Sequence, residues 1–184
     1  MITKAKNNKQ ILFRRLNYND FDNLFEYLNN LSIETKKRFA PHQFDKIAIE
    51  LFYQNDKNIG FVVEDIELQN IVAYAIVKIG FLENESKRLN AYELALNHKT
   101  DCTFAPSVAD SWQSYGLGDA LFKYILSELK SYQIKRIILW GGVQADNDKA
   151  ISYYKKNGFE VLGEFYNNGN NFDMLKKLKN VNIY

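Results

Sequence analysis

The stretch SWQSYGLGDALF, residues 111–122, sets two aromatics, a glutamine and two glycines into a turn and runs straight into an apolar-periodic segment. Leu117, Ala120, Leu121, Tyr124, Ile125 and Leu129 continue at helical spacing, so Gly116 and Gly118 stand at the mouth of a helix. A helix N-terminus offers backbone N–H groups without intrahelical partners and the positive end of the dipole. Glycines let the backbone bring those donors close to an anion. On this stretch alone, a phosphate cradle and a plain strand-to-helix turn are both open. Two nucleotide readings fail. A P-loop needs Gly-Lys-Ser/Thr where Gly118 is followed by Asp119 and Ala120, and a dinucleotide fingerprint needs a third glycine where Leu121 stands.

Outward from the loop, DCTFAPSVAD (101–110) reads as an extended segment leading into it, and IKRIILWGG (134–142) as a buried strand beyond the helix. NDKAISYYKKNG (147–158) is a short helix capped by Asp146 or Asn147 and closed by Gly158 at C′. FEVLGEFY and FDMLKKL follow as strands. Upstream, ILFRRL is a strand and NYNDFDNLFEYLNNL a helix, with Asp20 as its N-cap and a stripe of Leu24, Tyr27, Leu28 and Leu31. SIETKKRFAPHQF is a polar, cationic connection, and DKIAIELFYQ a second helix turning Ile47 and Leu51 inward with Ile49 or Phe52. IGFVVEDI and NIVAYAIVKIG make two strands, and LNAYELALNH a further extended segment. Strands and helices mix, yet several strands are sequential neighbours. The fold class is therefore α/β of the α+β kind, with a mixed sheet.

The chain has 184 residues, 46% hydrophobic and 25% charged, which suits a globular domain with a sizeable core. Only Pro41 and Pro106 are present and no repeat or low-complexity block divides the chain. Residues 1–9 are expected to be a flexible basic tail and residues 10–184 one domain. A net charge of +2 without a basic stripe argues against nucleic acid or an anionic membrane as partner. The single cysteine, Cys102, permits no internal disulfide, and with His42 and His98 the only histidines no metal site is expected. MITKAKNNKQ has no apolar core of a signal peptide, so a cytoplasmic address is the expectation.

QSYGLG, Gln113 to Gly118, matches the Gln/Arg-x-x-Gly-x-Gly/Ala signature and resembles the GNAT superfamily of N-acetyltransferases. Val108 falls where that family places a valine at the end of the preceding strand, and Trp112 before the glutamine is also familiar there. NDKAISYYKKNGF, Asn147 to Phe159, resembles the family's second block at matched spacing, with one helix and one strand between the two. The resemblance covers roughly residues 100–178 and is topological before that.

The resemblance implies a mostly antiparallel central sheet, flanked by helices, with the fourth and fifth strands splayed around coenzyme A. It implies acetyl-CoA as co-substrate, its pyrophosphate held by backbone N–H groups of Gln113, Ser114, Tyr115, Gly116, Leu117, Gly118 and Asp119. Val108 would pair with the pantetheine arm, Asn147 would contact that arm through its amide, and the backbone N–H of Val108 or Ala109 would meet the acyl oxygen. Tyr154 matches the helix tyrosine that protonates the leaving thiolate, although a packing role beside Ala150 and Ile151 competes. The base is left open among Asp101, Glu93, Asp110 and water. Pro106 removes one donor just before the pantetheine edge. The expected partner is a small-molecule amine, an amino sugar or a peptide N-terminus. A homodimer through edge strands is left open, and a catalytically silent CoA-binding module is the alternative. Cys102 reads as a small buried strand residue and His42 as a surface-loop residue.

Overall fold

The structure is a computed structural model and describes residues 1–178. Its first nine residues are not a loose tail. Ile2–Lys4 forms β1 and pairs antiparallel with β2 (Gln10–Arg15), from Ile2↔Leu12 to Lys4↔Gln10. The turn between them closes because Asn8 adopts φ 65° and its N–H donates to the Ala5 carbonyl at 2.9 Å, while Ala5 N–H donates to Lys9 O at 2.9 Å. A short polar turn with an asparagine in the left-handed region is a hairpin signal.

The chain divides into two compact units, Met1–Val77 with Ala105–Glu128, and Lys78–Phe104 with Leu129 onward. In the first, β1 and β2 are followed by α1 (Phe21–Asn30), α2 (Ile33–Arg38), α3 (Lys46–Tyr53), β3 (Asn58–Asp65) and β4 (Asn70–Ile79), with strand order β1-β2-β3-β4. Ile71 to Val77 are buried without alternation, so β4 is covered on both faces. Helix α1 turns Leu24, Tyr27 and Leu28 inward, at about 1.5–3 kcal/mol for each large apolar side chain removed from water. The second half of β5 (Asp101–Val108) and α5 (Leu117–Glu128) complete this unit.

The second unit holds α4 (Ser86–Asn90), the first half of β5, β6 (Arg136–Leu139), β7 (Val143–Gln144), α6 (Asp148–Lys156), β8 (Glu160–Tyr166) and β9 (Asn170–Lys177). Here β5 pairs parallel with β6 over Asp101↔Arg136 to Phe104↔Leu139, and β9 takes β6, β7 and β8 antiparallel. The sheet is mixed and mostly antiparallel, with helices flanking it.

Several local expectations are corrected. Asp20 stands at the N-cap of α1, but its side chain makes no capping bond to that helix. It completes the capping box of the preceding 3₁₀ turn by accepting from Asn17 N–H at 2.8 Å, and the Arg14 guanidinium holds it at 2.6 and 2.8 Å. The connection after α1 contains α2, which Ser32 nucleates by accepting from Thr35 N–H. In α3 the inward residue is Ile49, while Ile47 and Leu51 stay 70% and 59% exposed. The apolar residues there are spaced too densely for the pattern to fix which face turns in. LNAYELALNH is not a strand: α4 ends inside it and a turn follows.

Candidate active site

In the first unit, β5 ends at Val108, and a 3₁₀ turn, Asp110–Trp112, leads to Gln113. The backbone then passes through two left-handed residues, Ser114 (φ 68°) and Gly116 (φ 82°), before α5 begins at Leu117. Glycine takes that conformation without the steric cost a Cβ imposes, which is why Gly116 suits a sharp entry into a helix. The first helical bond, Ala120 N–H to Gly116 O, is 3.1 Å long. Leu117 is buried and anchors the first turn, whereas Ser114 and Tyr115 are exposed. The Gln113 amide reaches back to Val108 O and to Asp110 Oδ1, each at 3.4 Å.

The structure thus brings Val108, Ala109 and Gln113 through Asp119 into one contiguous segment of the first unit. Of the pair expected to meet an acyl oxygen, the Ala109 N–H already donates to Val72 O at 2.9 Å. A cleft of about 360 Å³ lies beside Ala109–Trp112, its wall including Tyr27, Val72, Glu26 and Asp110.

The second unit carries the other block. Asn147 is the N-cap of α6, its Oδ1 accepting from Ala150 N–H at 3.2 Å, which leaves the amide NH₂ end to donate elsewhere. Gly158 follows the C-cap at φ 79°, closing the helix as its sequence implied. Tyr154 is 9% exposed and packs edge-on against Phe159 and Tyr153. Burial raises its pKa, so the phenol stays protonated at neutral pH.

The candidate bases fare differently from one another. Asp101 is fully buried and takes two bonds from the Arg136 guanidinium, at 2.7 and 2.8 Å, and one from Asn97 N–H. That is a structural ion pair between neighbouring strands, with its lone pairs committed. Asp110 accepts from Ser32 N–H, the Ser32 hydroxyl and the Thr35 hydroxyl. Burial pushes its pKa up, but those hydrogen bonds outweigh it and hold the carboxyl below the usual range, which makes a weaker base. Glu93 is exposed, at φ 58°, in the turn after α4. Cys102 is fully buried, and burial raises its thiol pKa, as an inert strand residue requires.

Sequence reading missed a polar network inside the first unit. His42 is half-buried; its Nδ1–H donates to Gln43 O at 2.7 Å, and its Nε2 accepts from the Tyr74 hydroxyl at 3.1 Å. A carbonyl oxygen only accepts, so this fixes the tautomer. Tyr53 in turn donates to Tyr74 Oη at 2.5 Å, and Tyr27 bonds Ser107 on β5 at 3.0 Å. Burial lowers the His42 pKa and keeps the ring neutral. Phe44 and Phe52 lie against the ring, and Phe39 packs edge-on against Tyr74. The sole sequence signal was the aromatic density of residues 39–53, which does not announce partners on another strand.

Comparison with known proteins follows the same lines. The family model described as acetyltransferase (GNAT) family matches residues 25–159, and the chain belongs to that family. Among solved structures it is similar to the GNAT domain of S. lividans PAT, with a TM-score of 0.74 at 15% identity, covering 97% of this chain and 96% of that one. It is also similar to the ribosomal-protein-S5-alanine acetyltransferase from Vibrio fischeri, with a TM-score of 0.70 at 14% identity, covering 92% and 94%. A third is a spermidine N-acetyltransferase SpeG chimera from Vibrio cholerae and hSSAT, with a TM-score of 0.66 at 19% identity, covering 91% and 95%. No match was found among curated proteins. These likenesses establish the fold, and the family is one of acyl transfer. Among the described residues no helix is long and apolar enough to cross a membrane, and no group of three or more His, Cys, Asp or Glu could hold a metal.

Proposed function

We propose that the chain is an acetyl-CoA-dependent N-acetyltransferase acting on a primary amine by direct attack in a ternary complex. The observation that carries this reading is the loop Gln113–Gly116, left-handed at Ser114 and Gly116, feeding the N-terminus of the twelve-residue helix α5 directly after β5. The donor chemistry fits the coenzyme: its diphosphate is an anion, and the start of α5 offers backbone N–H groups and a positive helix end, with no side chain at Gly116. When bound, the coenzyme supplies an acetyl group activated as a thioester.

The chain's own residues divide the remaining work. Backbone groups from Ser114 to Asp119 would hold the diphosphate, the Gln113 N–H being engaged by Asp110 O at 3.4 Å, and Val108 would pair with the pantetheine arm. Asn147 donates from its amide NH₂ end while its Oδ1 keeps capping α6. Tyr154, protonated at neutral pH, would give its Oη proton to the departing thiolate, a transfer that burial opposes by disfavouring the phenolate. Asp101 and Asp110 are both engaged, which leaves Glu93 or water to take the amine proton. Glu26 and Asp110 on the cleft wall favour a cationic amine before reaction. The related spermidine and ribosomal-protein-alanine enzymes carry amine acceptors in their names, which supports an amine here without selecting a small molecule, an amino sugar or a peptide N-terminus.

Calorimetric titration with acetyl-CoA, beside ATP and NAD, tests the reading. Selective binding of acetyl-CoA, followed by thiol release with some member of an amine panel, is the expected result. Equal binding of ATP or NAD, or no binding at all, rejects it. One observation favours a second reading, a catalytically silent CoA-binding module: two of the three candidate carboxylates are spoken for. Tight acetyl-CoA binding with no thiol release across the panel would establish that instead.

A further inference from the structure

The β1–β2 hairpin places two lysines in one turn, and they meet different fates. Lys9 is satisfied: its ammonium lies 3.0 Å from Asp65 Oδ2 and 5.2 Å from the Trp112 ring centroid. Those two contacts tie the turn to β3 and to the residue that precedes Gln113. Lys6 has no carboxylate partner among the described residues. Its side chain lies along Gly116: a Cβ added there would sit 3.4 Å from Lys6 Cε and 3.9 Å from Nζ.

The placement is not the accident of a loose end. The turn is closed by the Ala5–Lys9 and Asn8–Ala5 backbone bonds and by Asn7 Oδ1 accepting from Lys9 N–H at 3.2 Å. Ala5 is buried, and the Met1 ammonium donates to Phe13 O at 2.8 Å, so the hairpin is pinned at both ends. An exposed ammonium against a left-handed glycine, beside the positive end of a helix, gathers positive charge that an anion would balance. The surroundings therefore gain most from a group bearing phosphate.

We propose that Lys6 binds a phosphate of the coenzyme, which makes the N-terminal hairpin part of the cofactor site. This rests on the proposed function above and adds a side-chain cation to a cradle otherwise made of backbone. It also gives the hairpin a purpose that the sheet alone does not require, since β1 is a three-residue edge strand.

The test is calorimetric titration of CoA and 3′-dephospho-CoA into the wild-type chain and into Lys6→Ala, Lys6→Glu and Lys6→Arg, at low and moderate salt. Lys6 is exposed, so the variants should keep the wild-type melting temperature, which is checked first. Lys6→Ala is expected to bind CoA about fivefold more weakly at low salt, Lys6→Glu more weakly still, and Lys6→Arg nearly as well as wild type. The deficit should shrink as salt rises. A deficit that persists with 3′-dephospho-CoA assigns the contact to the diphosphate; one that disappears assigns it to the 3′-phosphate. Wild-type binding of CoA with unchanged affinity in Lys6→Ala and Lys6→Glu overturns the proposal and leaves the cofactor reading standing. A wild-type chain that binds no CoA overturns both.

Discussion

The two motif-bearing blocks, Gln113–Gly118 and Asn147–Phe159, and the helical front α1–α3 are built by different physics. The blocks are fixed by backbone conformation and local capping: a left-handed glycine, a helix start, an asparagine cap, a closing glycine. Each requirement involves residues within a few positions of one another. The front is fixed by side chains brought together from far apart in the chain, with His42, Tyr53 and Tyr74 joined by hydrogen bonds and Tyr27 joined to Ser107. A local device can be recognised from spacing. A network of distant hydroxyls and one imidazole leaves no spacing to recognise.

The largest effect is expected where a block carries chemistry. Tyr154→Phe keeps the ring against Phe159 and removes the hydroxyl, so turnover should fall by roughly a hundredfold while acetyl-CoA affinity stays near wild type. Steady-state kinetics beside calorimetry checks this. Unchanged turnover would return Tyr154 to a packing role and make that block structural like the front.

A pair of substitutions then sharpens the contrast directly. Gly116→Val puts a β-branched residue at φ 82° and a Cβ against the Lys6 side chain; acetyl-CoA affinity should drop by about tenfold. Tyr74→Phe deletes the hydroxyl that joins His42 to Tyr53 and should cost about 1–3 kcal/mol of stability with cofactor affinity intact. Denaturant unfolding and titration on both variants separate the two. If Tyr74→Phe also loses cofactor affinity in its folded state, the front is not independent of the loop.

The sequence made the loop, its helix and the α6 caps legible because glycine, asparagine and apolar periodicity act locally. It also made the stripe of α1 legible, and Leu24, Tyr27, Leu28 and Leu31 are all buried. It failed where charge pairing decides. Asp101 looked like a base because it begins the strand before the loop, but Arg136 lies beside it across the β5–β6 register, and nothing in residues 101–110 reveals that partner. It failed at the hairpin because nine residues, six of them polar, resemble a tail until their partners on β2 are known. His42 was misjudged for the same reason: Tyr74, which holds it, lies on another element.

The smallest expected effect tests whether that histidine belongs to the folding of the front. Burial holds the His42 pKa below its ordinary value of 6.5, against the opposing pull of the Gln43 carbonyl and the Asp45 carboxylate. Between the folded and ordinary values the unfolded chain binds the extra proton and the folded chain does not, so stability rises with pH in that window. The contribution is complete above the ordinary value and is lost as pH falls through the folded one. Protonation at Nε2 would also turn an acceptor for the Tyr74 hydroxyl into a second donor, forcing the Tyr53–Tyr74 bond to rearrange. Melting temperatures at about pH 5.5 and about pH 7.5 should therefore differ more for the wild type than for His42→Gln, which cannot titrate. Identical pH slopes for the two chains would mean that the network is held by its tyrosines alone, and the imidazole is a passenger in it.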